Sequence, residues 1–171
     1  LASRAYYSGR FREAQEHGQR AIDALAGRDP REVAQELLAY GSEALLYGHL
    51  YRGIADAARG ERARALDALA GVDALAEATG QPYMRAVALC FGAGITTLLN
   101  EPALTRDRAA RGLALAAENS LMFWIASAKV SLGWAQACFG EADAGANEVR
   151  EGIGIVRAIG AMVVFPLQSA Q

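Results

Sequence analysis

The chain has 171 residues, 53% of them hydrophobic and 21% charged, and a net charge of -2 at pH 7. That length suits one domain with a continuous core, and that composition excludes a disordered chain. The near-neutral, slightly acidic balance argues against direct nucleic-acid binding, and the longest apolar stretches, 89–99 and 161–167, are too short to cross a bilayer, so no membrane partner is expected.

Alanine and leucine recur at three- and four-residue spacing from end to end, which predicts helices near 1–8, 11–26, 31–58, 61–79, 82–99, 102–118, 121–139, 141–159 and 163–171. No stretch alternates as a strand would. The breaks centre on Gly9, Gly27, Gly60, Gly80, Asn100, Ser120, Gly140 and Gly160, where glycine suits the left-handed residue after a helix end. Asp29-Pro30 and Gln81-Pro82 read as helix starts, and Asn100-Glu101-Pro102 as an N-cap with proline close to the first turn. The long helix is expected to break at Tyr40-Gly41-Ser42.

The segment Gly9-Arg10-Phe11-Arg12-Glu13-Ala14 returns as Gly60 with Ala65, as Asn100 with Thr105, and as Gly140 with Gly145. The four turn positions are spaced by 51, 40 and 40 residues, the larger first spacing reflecting extra residues around Gly27 to Glu36. A period of this size marks an array in which each helix–turn–helix unit buries its apolar face on its neighbours. A small residue is expected seven positions before each turn, at Ala2, Gly53, Ala93 and Gly133, and another twelve after it, at Ala21, Val72, Gly112 and Gly152. Small residues there let paired helices approach closely.

These turn residues resemble the tetratricopeptide repeat. The resemblance implies an all-α solenoid of about four antiparallel helix pairs in a right-handed superhelix, one domain over 1–171. Its units fall near 1–27, 31–80, 82–119 and 121–160, with a further helix beginning over 161–171. The third unit departs from the family pattern at Asn100 and Thr105. A narrower resemblance covers most of 40–166: Tyr40-Gly41, Leu50-Tyr51, Gly80-Gln81-Pro82, Gly133-Trp134-Ala135 and Arg157-Ala158-Ile159-Gly160-Ala161 look like the helical tail of bacterial signalling proteins. In those proteins a class III nucleotide cyclase or a LuxR-type DNA-binding domain is joined to an AAA-type ATPase. This implies a regulatory or interaction role, and the helical patterns at both ends read as a piece of a longer protein.

Catalytic constellations are not found. His17 and His49 stand alone, with no second histidine or cysteine at metal spacing. No phosphate loop surrounds Lys129, the single lysine, and no Gly-x-Ser-x-Gly elbow occurs. Carboxylates such as Glu13, Glu16, Glu61, Asp67, Glu141, Asp143, Glu148 and Glu151 fall on second helices, as a solvated face requires. Arg59, Arg62 and Arg64, and Arg106, Arg108 and Arg111, read as helix surface paired with nearby acids. Cys90 and Cys138 read as buried, reduced core residues, which places the protein in the cytoplasm. No enzyme activity and no cofactor are expected of this region.

The resemblance places the first helix of each pair on an inner, concave face. The side chains so placed are Ser3, Tyr6, Tyr47, Leu50, Ile54, Val87, Cys90, Thr97, Ser127, Val130 and Trp134. The expected occupant is a protein segment or small-molecule effector, and neighbouring domains of the parent chain are expected partners. A homodimeric structural module and an enzyme with an unfamiliar helical site are the alternatives.

Overall fold

The computed structural model describes residues 1–24, 27–28, 32 and 43–161, and every regular element among them is helical. The helices are α1 (Ala2–Tyr7), α2 (Phe11–Asp23), α3 (Glu43–Ala58), α4 (Arg62–Thr79), α5 (Pro82–Leu98), α6 (Pro102–Glu118), α7 (Met122–Cys138) and α8 (Ala142–Ala158). The expected helix start at Asp29-Pro30, the break at Tyr40-Gly41-Ser42, and the closing helix over 163–171 lie outside the described residues. From α4 onward the periodicity places each helix within one residue of its observed bounds.

The reason is the punctuation. From residue 60 a left-handed residue recurs every 20 positions, at Gly60, Gly80, Asn100, Ser120, Gly140 and Gly160. At Gly140, φ is +87°, and the Gly140 and Glu141 N–H groups donate to the carbonyls of Ala137 and Gln136, both at 3.0 Å. The preceding helix thus satisfies its last carbonyls through the turn itself. The degraded third turn follows the same rule. Asn100 adopts φ +56°, and the Asn100 and Glu101 N–H groups reach Thr97 and Thr96 at 3.0 Å. Asparagine tolerates this region better than most residues with a Cβ. Asn100 is therefore the left-handed residue ending α5 rather than an N-cap; Glu101 is the N-cap of α6, and its side chain makes no capping bond.

The chain divides into two compact units, Leu1–Ala88 and Leu89–Gln171, where the sequence reading takes one domain. In unit 1, α1 packs on α2, α3 packs on α2 and α4, and α1 also touches α3. Its core holds Leu46, Leu50, Val72, Met84 and Val87, interleaved with Ala55, Ala65 and Ala68. In unit 2, α7 packs on α6 and α8 around Ala109, Ala126, Ala128 and Val156.

The alanine and glycine content follows from close helix approach. A Cβ added at Gly133 or Gly145 would strike the other's carbonyl oxygen. One added at Gly112 would meet the Cys90 sulfur at 2.7 Å, and one at Gly18 the Gly48 carbonyl oxygen at 2.6 Å. The repeating small residues are thus the crossing points of the hairpins. In the third repeat Thr105 takes the place of alanine and is fully buried; its hydroxyl donates to the Thr96 hydroxyl at 2.8 Å, and Thr96 donates to the Ala93 carbonyl at 3.0 Å. The departure from the repeat pattern is thereby hydrogen-bonded and costs little. The two cysteines differ from expectation in one respect: Cys90 is buried, but Cys138, the last residue of α7, is exposed at the rim of the turn.

Candidate interaction surface

The expected inner row resolves into two sets. Leu50, Val87 and Cys90 are fully buried, and Tyr6, Ile54, Ser127 and Val130 nearly so. Val130 belongs to a cluster with Ala126 and Val156, and so packs between α7 and α8. Burial pushes the Cys90 thiol up to about 12, against an opposing pull from the Arg108 guanidinium, which leaves it a poor nucleophile. These positions are packing residues rather than an accessible lining. Ser3, Tyr47, Thr97 and Trp134 are half-buried, and the Thr97 hydroxyl donates to the Ala93 carbonyl at 2.9 Å.

In unit 1 the structure gathers aromatic rings that the ruler of turn residues only partly picked out. Tyr6 lies 5.3 Å from Tyr7, 5.6 Å from Phe11 and 6.0 Å from Tyr51, ring centre to ring centre. Tyr7 meets Tyr51 edge to face at 5.9 Å, and Tyr47 stacks on Tyr51 at 6.1 Å. Tyr7 is 43% exposed, and its hydroxyl lies 3.5 Å from that of Tyr51. Burial and the neighbouring Tyr7 push the Tyr6 hydroxyl up to about 12, and burial with the Tyr7 bond pushes Tyr51 up as well. Tyr6 and Tyr51 are thus neutral phenols at neutral pH. Offset and edge-to-face rings with a polar rim are the chemistry of a contact surface. Tyr7, Phe11 and Tyr51 are missed by the ruler because the cluster forms between helices that are distant in sequence. Their signal in the sequence is the density Tyr6-Tyr7 with Phe11.

Beside these rings lies a polar network centred on Asp56, the one charged residue in the apolar run Gly53-Ile54-Ala55-Asp56-Ala57-Ala58. Asp56 is fully buried; it accepts from Gln15 at 2.5 Å and from Arg52 Nε at 3.3 Å, and Arg64 Nε stands 3.6 Å away. Arg52 reaches on to Asp67 at 3.0 Å. Glu61 joins Arg59 at 2.9 Å and Arg64 at 3.3 Å, and the Arg59 hydrogen bond leads in holding its carboxyl below the usual range. Of the arginines expected to pair with acids, Arg59 and Arg64 do so here, and Arg106 with Glu141 and Arg111 with Asp107 elsewhere, whereas Arg108, expected at the surface, is buried. The network ties α2, α3 and α4 together, which is a structural task.

His49 points its ring at Gly71, where a Cβ would come within 2.8 Å of Nδ1. That nitrogen has no hydrogen-bond partner among the described residues. Burial, reinforced by the Arg52 charge and only partly offset by Asp67, lowers its pKa to about 4, so the ring is neutral at pH 7. Among the described residues, no three His, Cys, Asp or Glu side chains lie together as metal ligands, and no helix is long and apolar enough to cross a membrane.

Compared with known proteins, the chain matches no family model, no curated protein and no solved structure.

Proposed function

We propose that this chain is a tetratricopeptide-like interaction module, the protein-binding or effector-sensing region of a larger signalling protein. The observation that carries this is the tyrosine cluster of α1 and α3, in which Tyr7 is exposed and Tyr47 and Tyr51 half-buried. Aromatic side chains with a polar edge lose little conformational entropy on binding and dominate interface energetics. The 20-residue punctuation supports the repeat reading, because it builds one helical hairpin after another on one plan. Occupancy of the aromatic face would bias neighbouring domains between inactive and active arrangements. In the parent protein, Tyr47→Ala with Tyr51→Ala should weaken partner capture and regulation about tenfold or more while helical content is retained. Unchanged capture and regulation in a folded double variant would remove this reading.

A second reading, self-association, is supported in unit 2 by Met122, Phe139 and Ile159, which are 45%, 47% and 42% exposed. A concentration-independent monomer in analytical ultracentrifugation would dismiss it.

A further inference from the structure

The first 12 residues carry Arg4, Arg10 and Arg12 and no carboxylate, in a chain whose net charge is -2. Arg10 is paired with Glu13 at 3.2 Å, a solvent-exposed contact that exchanges readily. Arg4 and Arg12 are exposed and form no ion pair among the described residues. Arg4 precedes Tyr7 by three residues on α1 and so shares its helix face. Arg12 follows Phe11 at the start of α2, and Phe11 packs on Tyr6. Two exposed arginines, Arg4 and Arg12, thus stand on the paired helices α1 and α2 that also carry the exposed Tyr7.

We propose that this corner of α1 and α2 docks an acidic segment of a partner polypeptide. Carboxylates of the segment pair with Arg4 and Arg12, and its apolar side chains lie against the Tyr7 ring, whose hydroxyl offers a hydrogen bond. Arginine forks suit planar carboxylates, and tyrosine beside arginine is the composition enriched at binding hot spots. The inference rests on the interaction reading above and supplies the chemistry of the partner.

The test is fluorescence anisotropy with the whole chain and three labelled probes: a peptide alternating Glu and Phe, one alternating Lys and Phe, and oligouridylate. Vesicles containing phosphatidylserine, followed by co-sedimentation, make a fourth. The acidic peptide should bind, the basic one should not, and binding should weaken steeply as salt rises from about 50 to about 500 mM. Arg4→Glu with Arg12→Glu should weaken it roughly tenfold or more, as should Tyr7→Ser, with helical circular dichroism unchanged. Undiminished binding by the folded variants overturns the proposal, as does tighter binding of oligouridylate or vesicles than of the acidic peptide. If the acidic peptide fails while Tyr47→Ala with Tyr51→Ala still weakens partner capture by the parent, this inference falls and the interaction reading stands. If both experiments are negative, both fall.

Discussion

Unit 1 and unit 2 are assembled from the same helix–turn–helix element, yet different forces hold them. In unit 1 the α2–α3 seam has its own close glycine contact, Gly18 on Gly48, but charge is buried there as well: Asp56 lies with Arg52 and Gln15, and neutral His49 is wedged beside them. In unit 2 the seams are backbone against backbone, at Gly133 on Gly145 and Gly152 on the Ala126 carbonyl, with a threonine pair where Asp56 would fall one repeat earlier. Lys129 pairs with Glu148 at 2.8 Å and Glu151 at 2.9 Å at the edge of the α7–α8 seam. A repeat fixes where helices start and stop, and leaves open what fills the contact between them. Unit 1 should accordingly answer to pH and to charge deletion, and unit 2 to side-chain volume.

The largest effect is expected at Asp56. Asp56→Ala strips the buried Arg52 of its buried carboxylate, leaving it only the exposed Asp67, and should destabilise unit 1 by about 3–5 kcal/mol in urea denaturation. Replacing Arg52 and Asp56 together by apolar residues should cost less than Asp56→Ala alone, because no uncompensated charge remains.

Next is Gly145→Leu. Its side chain has to displace the Gly133 carbonyl, and the expected loss is about 1–3 kcal/mol, confined to unit 2. Since the two units need not melt together, each loss should be read from amide exchange within its own unit rather than from a single midpoint.

The third effect is pH-dependent. His49 has a folded pKa near 4, below its ordinary 6.5, so between these values the unfolded chain binds the proton first. Its contribution to stability is complete above about pH 6.5 and is lost as pH falls towards 4. Solvent reaches part of the ring, so the change is about 1–2 kcal/mol. His49→Gln should flatten that part of the stability profile.

The smallest is Lys129→Met. Burial would lower the lysine's pKa, but the hydrogen bonds it donates to Glu148 and Glu151 hold it above the usual value. The lysine side chain is only 17% exposed, but its partner Glu151 is 65% exposed, so the pair stands at the surface and removing it should change stability by about 1 kcal/mol, an effect that shrinks further in salt.

The fold was legible in particular residues. Gly60, Gly80, Gly140 and Gly160 set the boundaries of α4 to α8, and even Asn100 kept its turn, because a left-handed position can be read from one residue and its neighbours. The surface was less legible. The turn ruler assigned Leu50, Val87, Cys90 and Val130 to a lining, but the period gives position along a helix and not the neighbour that covers it. Tyr7 and Tyr51 meet across 44 residues of sequence, and Asp56 finds Gln15 across 41; neither pairing leaves a trace in local spacing. Cys138 was placed in the core by its apolar surroundings, whereas the end of α7 carries it out to the turn.

Hydrogen exchange followed by mass spectrometry at pH 7 and pH 4.5, corrected for intrinsic rates, tests the contrast between the units most directly. Amides of α3 and α4 should lose protection at pH 4.5, and His49→Gln should restore much of it, while amides of α7 and α8 keep theirs. Equal loss of protection in the two units, or a loss in unit 1 that His49→Gln leaves unchanged, would contradict the account.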